Sequence, residues 1–541
     1  MVSASTLLRR AGPLPRSLAA LSLALGLSTA ALGQESQTPL YGGAMIVGLA
    51  TDPAGLNIGL TTNLSESMVT SSIFNKLVRL GANEEFLPEL AESWEIAEDG
   101  LSYTFHLHDG VTWHDGTPFT SADVKFTLEQ ITKPLHPQGN TLETMVSVET
   151  PDERTVVVNL SEPGEPVLVF LALRAYILPA HLYEGTDIRE NPANTAPIGT
   201  GPFKFTQWDR GSHITLERNE DYFEAGMPYL DQMIYQILPD ASSRVLALET
   251  GQVDYLTHDI PSTSLETLRD NPDIVVSNEG VSAIVNIGQM MLNHDREPFG
   301  DVRVRHALAM ALDKDFVAER ATLGAFARAD GPIHSATGWA YDADALTIYP
   351  FDVAAAEALL DEAGYPRGES GTRFDMELLV PRGREDQMRA GDIIAEMYRA
   401  IGVNVTVNLL DAAALSEVSY INRNYDAMIN TVTTGPDPAI GVQRQYMSTN
   451  IRPVPFTNAA GYANPEVDAL FTSAAVEVDR AARAELYSHI QKILTEDLPV
   501  IWLWETTPYS AWRSTFTNIH NDSAAANYYL WSAWSTQGDA R

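Results

Sequence analysis

The chain has no cysteine among its 541 residues. Disulfides, thiolate metal sites, cysteine nucleophiles and lipid attachment to an N-terminal cysteine are therefore excluded. Basic residues are scarce, because 35 Lys and Arg face 71 Asp and Glu, which gives a formal net charge of −36. A charge of this sign repels phosphate backbones and anionic lipid headgroups, so we expect neither a nucleic-acid partner nor a role on a membrane surface.

Apolar runs long enough to cross a membrane are also missing. The run 18–32 follows three arginines, and its ~15 residues are too few for a permanent membrane helix but typical of a signal-peptide core. Ala31 and Gly33 then supply the small residues that signal peptidase accepts. This arrangement predicts a signal peptide over residues 1–33, with cleavage before Gln34. We therefore expect an exported, soluble protein without a lipid anchor, retained in the periplasm.

Recognisable catalytic and cofactor motifs are absent as well. The chain has neither H-E-x-x-H nor G-x-S-x-G. Gly199-Thr-Gly201-Pro lacks the third glycine of a dinucleotide loop and the Lys-Ser/Thr pair of a phosphate loop, and predicts a turn instead. His106, His108 and His114 have a spacing that could hold a metal, but a hairpin that displays polar groups to solvent gives the same pattern. We expect no enzyme activity, no cofactor and no metal site.

What the chain does contain is a succession of predicted strands and helices. Gly42–Leu49 is a short apolar run opened by glycines, which predicts a buried strand. Tyr103–His108 alternates with period two and closes with Asp109-Gly110, which predicts a strand followed by a hairpin turn. Farther on, Asp352 predicts the cap of a helix that Gly364 ends. Alternation of this kind favours an α/β fold.

Six segments share a distinctive order and spacing along the chain. They are Leu87–Val124, Pro197–Phe205 (PIGTGPFKF), Leu216–Phe223 (LERNEDYF), Leu248–Tyr255 (LETGQVDY), Phe299–Leu308 (FGDVRVRHAL) and Ala355–Tyr365 (AAEALLDEAGY). Together they resemble the family 5 extracellular solute-binding proteins, which are the dipeptide-, oligopeptide- and nickel-binding components of ABC importers. The resemblance extends from roughly residue 40 to residue 520.

The resemblance implies a two-lobed α/β periplasmic binding protein clamp, large and type II-like, with an extra subdomain in the first lobe. Its expected parts are lobe I (34–78, 198–289 and 505–541), an inserted subdomain (79–197) and lobe II (290–504). Two crossing strands, near Asn286–Asn293 and Pro499–Trp504, would form the hinge. A ligand would be held between the lobes, and closure would remove it from water.

The resemblance also places binding residues in the second lobe. Peptide-binding members carry a Trp and, three residues on, an Asp that pairs with the peptide ammonium, whereas this chain has Thr431 and Thr434 at those positions. A hydroxyl does not neutralise a buried cation, so the pocket favours a ligand that is not a plain peptide. Gly435 and Asp437 follow as further expected contacts, although the main role expected of Asp437 is to fix the turn before Pro438.

Other expected contacts come from two further segments. Arg389 aligns with the arginine that clamps the peptide carboxylate in dipeptide binders, although a solvated or salt-bridged arginine is an equal alternative. Leu64, Ser65 and Glu66 occupy the first-lobe loop that contacts ligand in the family, and Glu66 could supply a displaced anchor for an ammonium group.

These observations predict a substrate-binding protein that captures a peptide or peptide-like solute and delivers it to an ABC permease heterodimer, acting as a monomer. The same clamp could bind an opine, an amino-acid conjugate, an oligosaccharide or a nickel complex. An exported hydrolase and a sensory module that presents ligand to a chemoreceptor remain open. Release of an unchanged ligand would separate a binding protein from a hydrolase.

Overall fold

Strands and helices alternate through the part of the chain that the structure, a computed structural model, describes: residues 38–81, 85–258, 260–279, 284–519 and 529–538. The chain divides into Met1–Thr38, of which only Thr38 is described, and a compact unit, Pro39–Arg541. The predicted signal peptide therefore lies outside the described residues.

The strands are numbered along the chain. They are β1 (Ala44–Leu49), β2 (Val78–Leu80), β3 (Phe86–Pro88), β4 (Ala91–Ile96), β5 (Ser102–Leu107), β6 (Met145–Asp152), β7 (Thr155–Leu160), β8 (Phe203–Asp209), β9 (His213–Arg218), β10 (Gln232–Ile237), β11 (Tyr255–Thr257), β12 (Ile274–Ser277), β13 (Asn286–Leu292), β14 (Phe374–Pro381), β15 (Val403–Leu410), β16 (Ala427–Thr433), β17 (Val500–Thr506), β18 (Ser510–Arg513), β19 (Phe516–Thr517) and β20 (Trp534–Ser535).

The helices are numbered in the same way. They are α1 (Leu64–Thr70), α2 (Ser121–Phe126), α3 (Lys133–Leu135), α4 (Glu165–Leu173), α5 (Ala180–Tyr183), α6 (Ala241–Glu249), α7 (Ser262–Asp270), α8 (Val302–Met310), α9 (Lys314–Thr322), α10 (Val353–Glu362), α11 (Glu385–Ala400), α12 (Ala412–Ser416), α13 (Pro438–Gly441), α14 (Gln443–Tyr446), α15 (Pro465–Val476) and α16 (Arg480–Asp497). Two π-helical turns, Thr127–Thr132 and Glu417–Ile421, interrupt the regular helices.

The first lobe is built on a seven-stranded sheet in the order β12-β18-β11-β1-β10-β9-β8. Its central strand β1 is the predicted strand after Gly42, and it runs parallel to both neighbours. A separate antiparallel sheet in the order β4-β5-β7-β6 forms the core of the region predicted to be inserted.

The second lobe is built on a five-stranded sheet in the order β15-β14-β16-β13-β17. Strands β14, β15 and β16 are parallel, whereas β13 runs antiparallel to both β16 and β17. The carboxyl ends of β14, β15, β16 and β17 therefore meet at one edge of the sheet. Ligands of open α/β sheets bind at such an edge, so a binding site is expected there.

Each lobe has its own hydrophobic core. One large cluster of buried residues runs through the first sheet and the β4–β7 sheet, and a second one fills the space around the five-stranded sheet. The chain passes between the two large sheets twice, once from β12 to β13 and once from β17 to β18. The fold is therefore a two-lobed α/β clamp, as predicted, and the residue boundaries of the lobes stay a prediction.

Local sequence signals explain several of these elements. Asp352 caps α10, because its Oδ1 accepts a hydrogen bond from the Ala355 N–H at 2.9 Å, as predicted. The hairpin predicted after β5 is wrong. Asp109 and Gly110 form a turn, but the chain continues into α2, and β5 pairs with the preceding β4 and with β7. A turn sequence determines only that the chain changes direction. Which strand then pairs with β5 depends on packing across the sheet.

Candidate functional site

A cavity of about 620 Å³ opens between the lobes at the carboxyl edge of the second sheet. Pro381 from the end of β14, Asn430 and Thr431 from β16, and Thr506 from the end of β17 line it. Its volume lies within the range of small-molecule sites. The parallel course of these strands thus gathers side chains from distant parts of the chain into one cavity.

The first lobe and the crossing segments close the cavity from the other side. His258 follows β11 with a positive φ of 67°, and its N–H donates to the Tyr509 carbonyl at 3.0 Å. The Tyr509 ring stacks on Phe326 of the second lobe at 6.1 Å, and its hydroxyl donates to the Ala325 carbonyl. Tyr509 therefore connects both lobes beside the cavity.

Two carboxamides form the polar floor of the cavity. Gln387 Nε2 donates to Thr431 Oγ1 at 2.9 Å, and Asn430 Nδ2 donates to the Tyr420 hydroxyl at 2.8 Å. Gln387 Oε1 and Asn430 Oδ1 are buried and accept no hydrogen bond from any described residue. A buried acceptor without a donor costs free energy, and both oxygens are shielded from solvent in this arrangement.

Charged groups are few in the cavity. Arg384 and Asp386 stand at the beginning of α11, and Asp386 is the one carboxylate among the described lining residues. Arg444 lies beside Tyr420, its Nε is buried, and its guanidinium has no hydrogen bond or ion pair within the described ranges. Burial lowers the pKa of Arg444. Arg444 is not among the lining residues, so the charges on the cavity wall are those of Arg384 and Asp386.

Thr431 is the sequence-predicted residue that the structure places on the cavity wall. Thr434 is buried, and its hydroxyl donates to the Val285 carbonyl. The Gly435 carbonyl accepts from Thr337 Oγ1 at 3.3 Å. Asp437 forms a buried two-pronged ion pair with Arg483, both bonds 2.9 Å long, and also caps α13, in line with the turn-fixing role expected from the sequence.

The remaining predicted contacts lie elsewhere. Arg389 Nε donates to the Ala321 carbonyl at 2.8 Å, a backbone contact that the sequence did not predict. Leu64, Ser65 and Glu66 form the first turn of α1 instead of a loop, because Asn63 caps that helix. Glu66 Oε1 accepts from the Ala54 and Gly55 N–H groups, and Glu66 lines a second cavity of about 490 Å³ in the first lobe.

Gln387, Asn430, Tyr420, Phe456 and His258 line the cavity without having been predicted. Asn430 directly precedes the predicted contact Thr431, and that position was the one available signal. The other four come from a helix, a π-helical turn, a loop and the first lobe, so only the tertiary fold brings them together.

The three predicted metal candidates do not form a site. His114 Nε2 donates to the Gly201 carbonyl at 2.9 Å, and its Nδ1 accepts the Gly199 N–H at 3.2 Å. Burial lowers the pKa of His114 to about 4, so this imidazole is neutral and fastens the Gly199–Gly201 turn. Within the described residues, no three His, Cys, Asp or Glu side chains are grouped as a metal would require.

The model of the bacterial extracellular solute-binding proteins, family 5 Middle, matches residues 85–452. This chain belongs to that family. The family 5 fold accounts for the two lobes and for a cavity between them, and the resemblance stated from the sequence is confirmed. In the described part of this family 5 chain, no helix has the length and apolar character that crossing a bilayer requires.

Several relatives cover most of the chain. The oligopeptide-binding protein AppA of Bacillus subtilis is 28% identical over 86% of this chain and 87% of its own length. Heme-binding protein A of Haemophilus influenzae is 29% identical over 84% of each chain. The solved structure of AgaA from A. tumefaciens R10, in complex with agropinic acid, is 28% identical with a TM-score of 0.70 and covers 91% of this chain and 99% of that one.

Proposed function

We propose that this family 5 protein is the periplasmic substrate-binding component of an ABC importer, which captures a peptide or peptide-like solute between its lobes. The polar lining of the interlobe cavity, with Gln387, Asn430 and Thr431, carries this proposal, because amide and hydroxyl groups of this kind bind the backbone N–H and C=O groups of a peptide. The oligopeptide-binding relative supports the same class of solute.

Capture follows from the two crossings between lobes. A solute that contacts Asn430 in the second lobe and His258 in the first makes both sets of contacts only when the lobes are closed. Closure is therefore driven by contacts that exist in the closed state alone. The closed, loaded monomer then docks on a permease heterodimer, and the solute leaves chemically unchanged, because the protein is not an enzyme.

A non-peptide solute is the second candidate. Thr434 offers no carboxylate for an ammonium group, and the Asp437 carboxylate is occupied by Arg483. The related AgaA was solved with agropinic acid, which shows that this fold accepts such a molecule in that protein. An opine or an amino-acid conjugate would bring a carboxylate to Arg384, the arginine of the cavity lining. Under either candidate, we retain Thr431 as a direct contact and Glu66 as a first-lobe contact.

Native mass spectrometry of the purified protein tests the proposal, followed by thermal-shift titration with peptides, opines, sugars and nickel. A specific solute raises the melting temperature by linkage, because it binds the folded state alone. Recovery of the bound solute unchanged supports a binding protein, whereas its conversion identifies a hydrolase. Saturable binding of a sugar or nickel, with no response to peptides or opines, would contradict the peptide candidate and exclude opines and amino-acid conjugates from the second.

A further inference from the structure

A short loop at the cavity mouth carries an aromatic side chain that the core does not use. Pro455 and Phe456 line the cavity, and Phe456 is 52% exposed. The loop is held in shape by its own hydrogen bonds, since Thr457 Oγ1 donates to the Val454 carbonyl at 2.7 Å and the Asn458 N–H donates to the Asn450 carbonyl at 3.1 Å. Phe456 is therefore presented by a loop of defined shape.

The backbone at Phe456 is strained. Its φ is 62°, in the left-handed region that favours glycine and asparagine and that a bulky side chain rarely adopts. Such outliers persist where the surrounding structure imposes them, and they cluster at functional sites. An aromatic side chain that is strained and half exposed contributes little to the free energy of folding. Its place in the cavity lining therefore indicates a role in binding.

Tyr420 completes a wall with Phe456. The two ring centroids lie 5.7 Å apart with an interplanar angle of 45°. Tyr420 belongs to the π-helical turn Glu417–Ile421, a feature that is frequent at functional sites. The hydrogen bond from Asn430 Nδ2 to the Tyr420 hydroxyl holds this ring in place. The cavity thus has an aromatic wall, defined as Tyr420 and Phe456, beside the carboxamide floor of Gln387 and Asn430.

We propose that the aromatic wall selects solutes with an aromatic or similarly planar group, which stacks on Phe456 while its polar neighbours bind Gln387 and Asn430. This inference rests on the proposed function, because it takes the interlobe cavity as the solute site. Aromatic pairs gain more than the burial of their surface alone, whereas a saturated ring of the same size gains only the burial term.

The test compares Ala-Phe-Ala with a tripeptide in which cyclohexylalanine replaces Phe. Isothermal titration of the full chain should give about 2- to 10-fold tighter binding of Ala-Phe-Ala, the range that aromatic pairing supplies. F456L should abolish this preference. F351L is the matched control, because Phe351 is 51% exposed in the same lobe and lies outside the cavity lining. F456G should also lose the preference but melt at a higher temperature than F456L, because glycine relieves the positive φ.

A fragment arm separates this inference from the choice of solute class. Ligand-observed NMR with millimolar phenylacetamide and cyclohexylacetamide needs no peptide. One outcome is that phenylacetamide binds, that F456L removes this binding, and that no tripeptide binds. This outcome would support the aromatic wall and contradict a peptide solute. Three outcomes would overturn the proposed role of the aromatic wall. They are equal binding of the aromatic and saturated partners, a preference that survives F456L, and no binding by either tripeptides or fragments.

Discussion

Arg444 shows how a single residue can matter for a solute more than for the fold. Its guanidinium is half-buried beside Tyr420 without a hydrogen bond or ion pair to any described residue, in a chain with a large excess of acids. Leaving such a charge unpaired away from water is unfavourable for the empty protein. Arg444 does not line the cavity, so an anionic group of a bound solute would act on it as a counter-charge through space.

We therefore expect R444M to have opposite effects on folding and binding. The empty variant should melt at a higher temperature, because methionine keeps much of the apolar stem and removes the charge. Its affinity for solutes with a free carboxylate should fall, while that for carboxamide-capped versions stays unchanged. Differential scanning fluorimetry and titration of each pair check both effects, with the exposed Arg452 (R452M) as control. An equal loss of affinity for capped and uncapped solutes would contradict an electrostatic role.

His114 makes stability depend on pH. Its pKa is about 4 in the folded protein, below the ordinary value of 6.5, so the unfolded chain takes up its proton first as the pH falls. Stability from this residue is complete above about pH 6.5 and is lost between pH 6.5 and 4, by about 3 kcal/mol. H114Q should remove that part of the pH dependence, because glutamine can keep both hydrogen bonds without titrating.

Urea unfolding at pH 7 and pH 4.5 measures the difference. Other buried histidines contribute equally to both proteins, so the comparison isolates His114. H106Q serves as control, since the His106 side chain makes no hydrogen bond within the part of the chain that is described. Parallel pH profiles for the wild type and H114Q would show that the Gly199–Gly201 turn does not depend on a neutral imidazole.

At the scale of elements, β13 and β17 pack more closely than a side chain on Gly288 would allow. A Cβ at Gly288 would lie 2.3 Å from Trp504 Cε2, and the strand register shifts between Gly288 and Gln289. Trp502 and Trp504 are both fully buried. The pairing of these two strands therefore depends on the absence of one methyl group.

G288A should destabilise the protein by about 1–3 kcal/mol, the usual effect of overpacking a core. G338A is the matched control, because a Cβ at Gly338 meets nothing within 4 Å. Equilibrium unfolding in urea measures both variants. Equal stability of G288A and the wild type would mean that Trp504 moves aside freely.

The elements were more predictable from the sequence than the cavity was. The cap at Asp352 and the strand after Gly42 depend on neighbours within a few residues, so local chemistry determines them. Tyr420 and Phe456 are 36 positions apart, and neither has a neighbour that indicates a wall. The expected roles of Thr434 and Arg389 rested on family resemblance, whereas their side chains bond to backbone carbonyls in this chain. Cavity composition depends on loop conformations, which local patterns do not determine.

At the scale of the whole molecule, the lobes also meet at a second place, apart from the cavity lining. Leu80, Phe86 and Val169 of the first lobe surround a small gap together with Trp339 and Arg480 of the second. Ile440 of α13 packs against the first lobe's hydrophobic cluster. These contacts favour the closed arrangement even before a solute contributes, so they set part of the apparent affinity.

I440A should therefore open the clamp without touching the solute. Loss of the apolar contact should weaken solute binding about 5-fold, equivalent to about 1 kcal/mol of burial. Small-angle scattering of the empty variant should give a larger radius of gyration than that of the wild type. I348A, which removes an exposed isoleucine from the same lobe, is the control. Unchanged scattering and affinity in I440A would show that closure depends on the solute alone.

The position of β18 in the first sheet has a consequence for biosynthesis. This strand lies between β11 and β12, yet it is synthesised after the entire second lobe. The seven-stranded sheet therefore remains incomplete until Ser510–Arg513 leave the ribosome. The lobe that is translated first is therefore completed only after the second lobe. A stop codon before Ser510 would remove β18 and leave β11 and β12 without the strand that pairs with both.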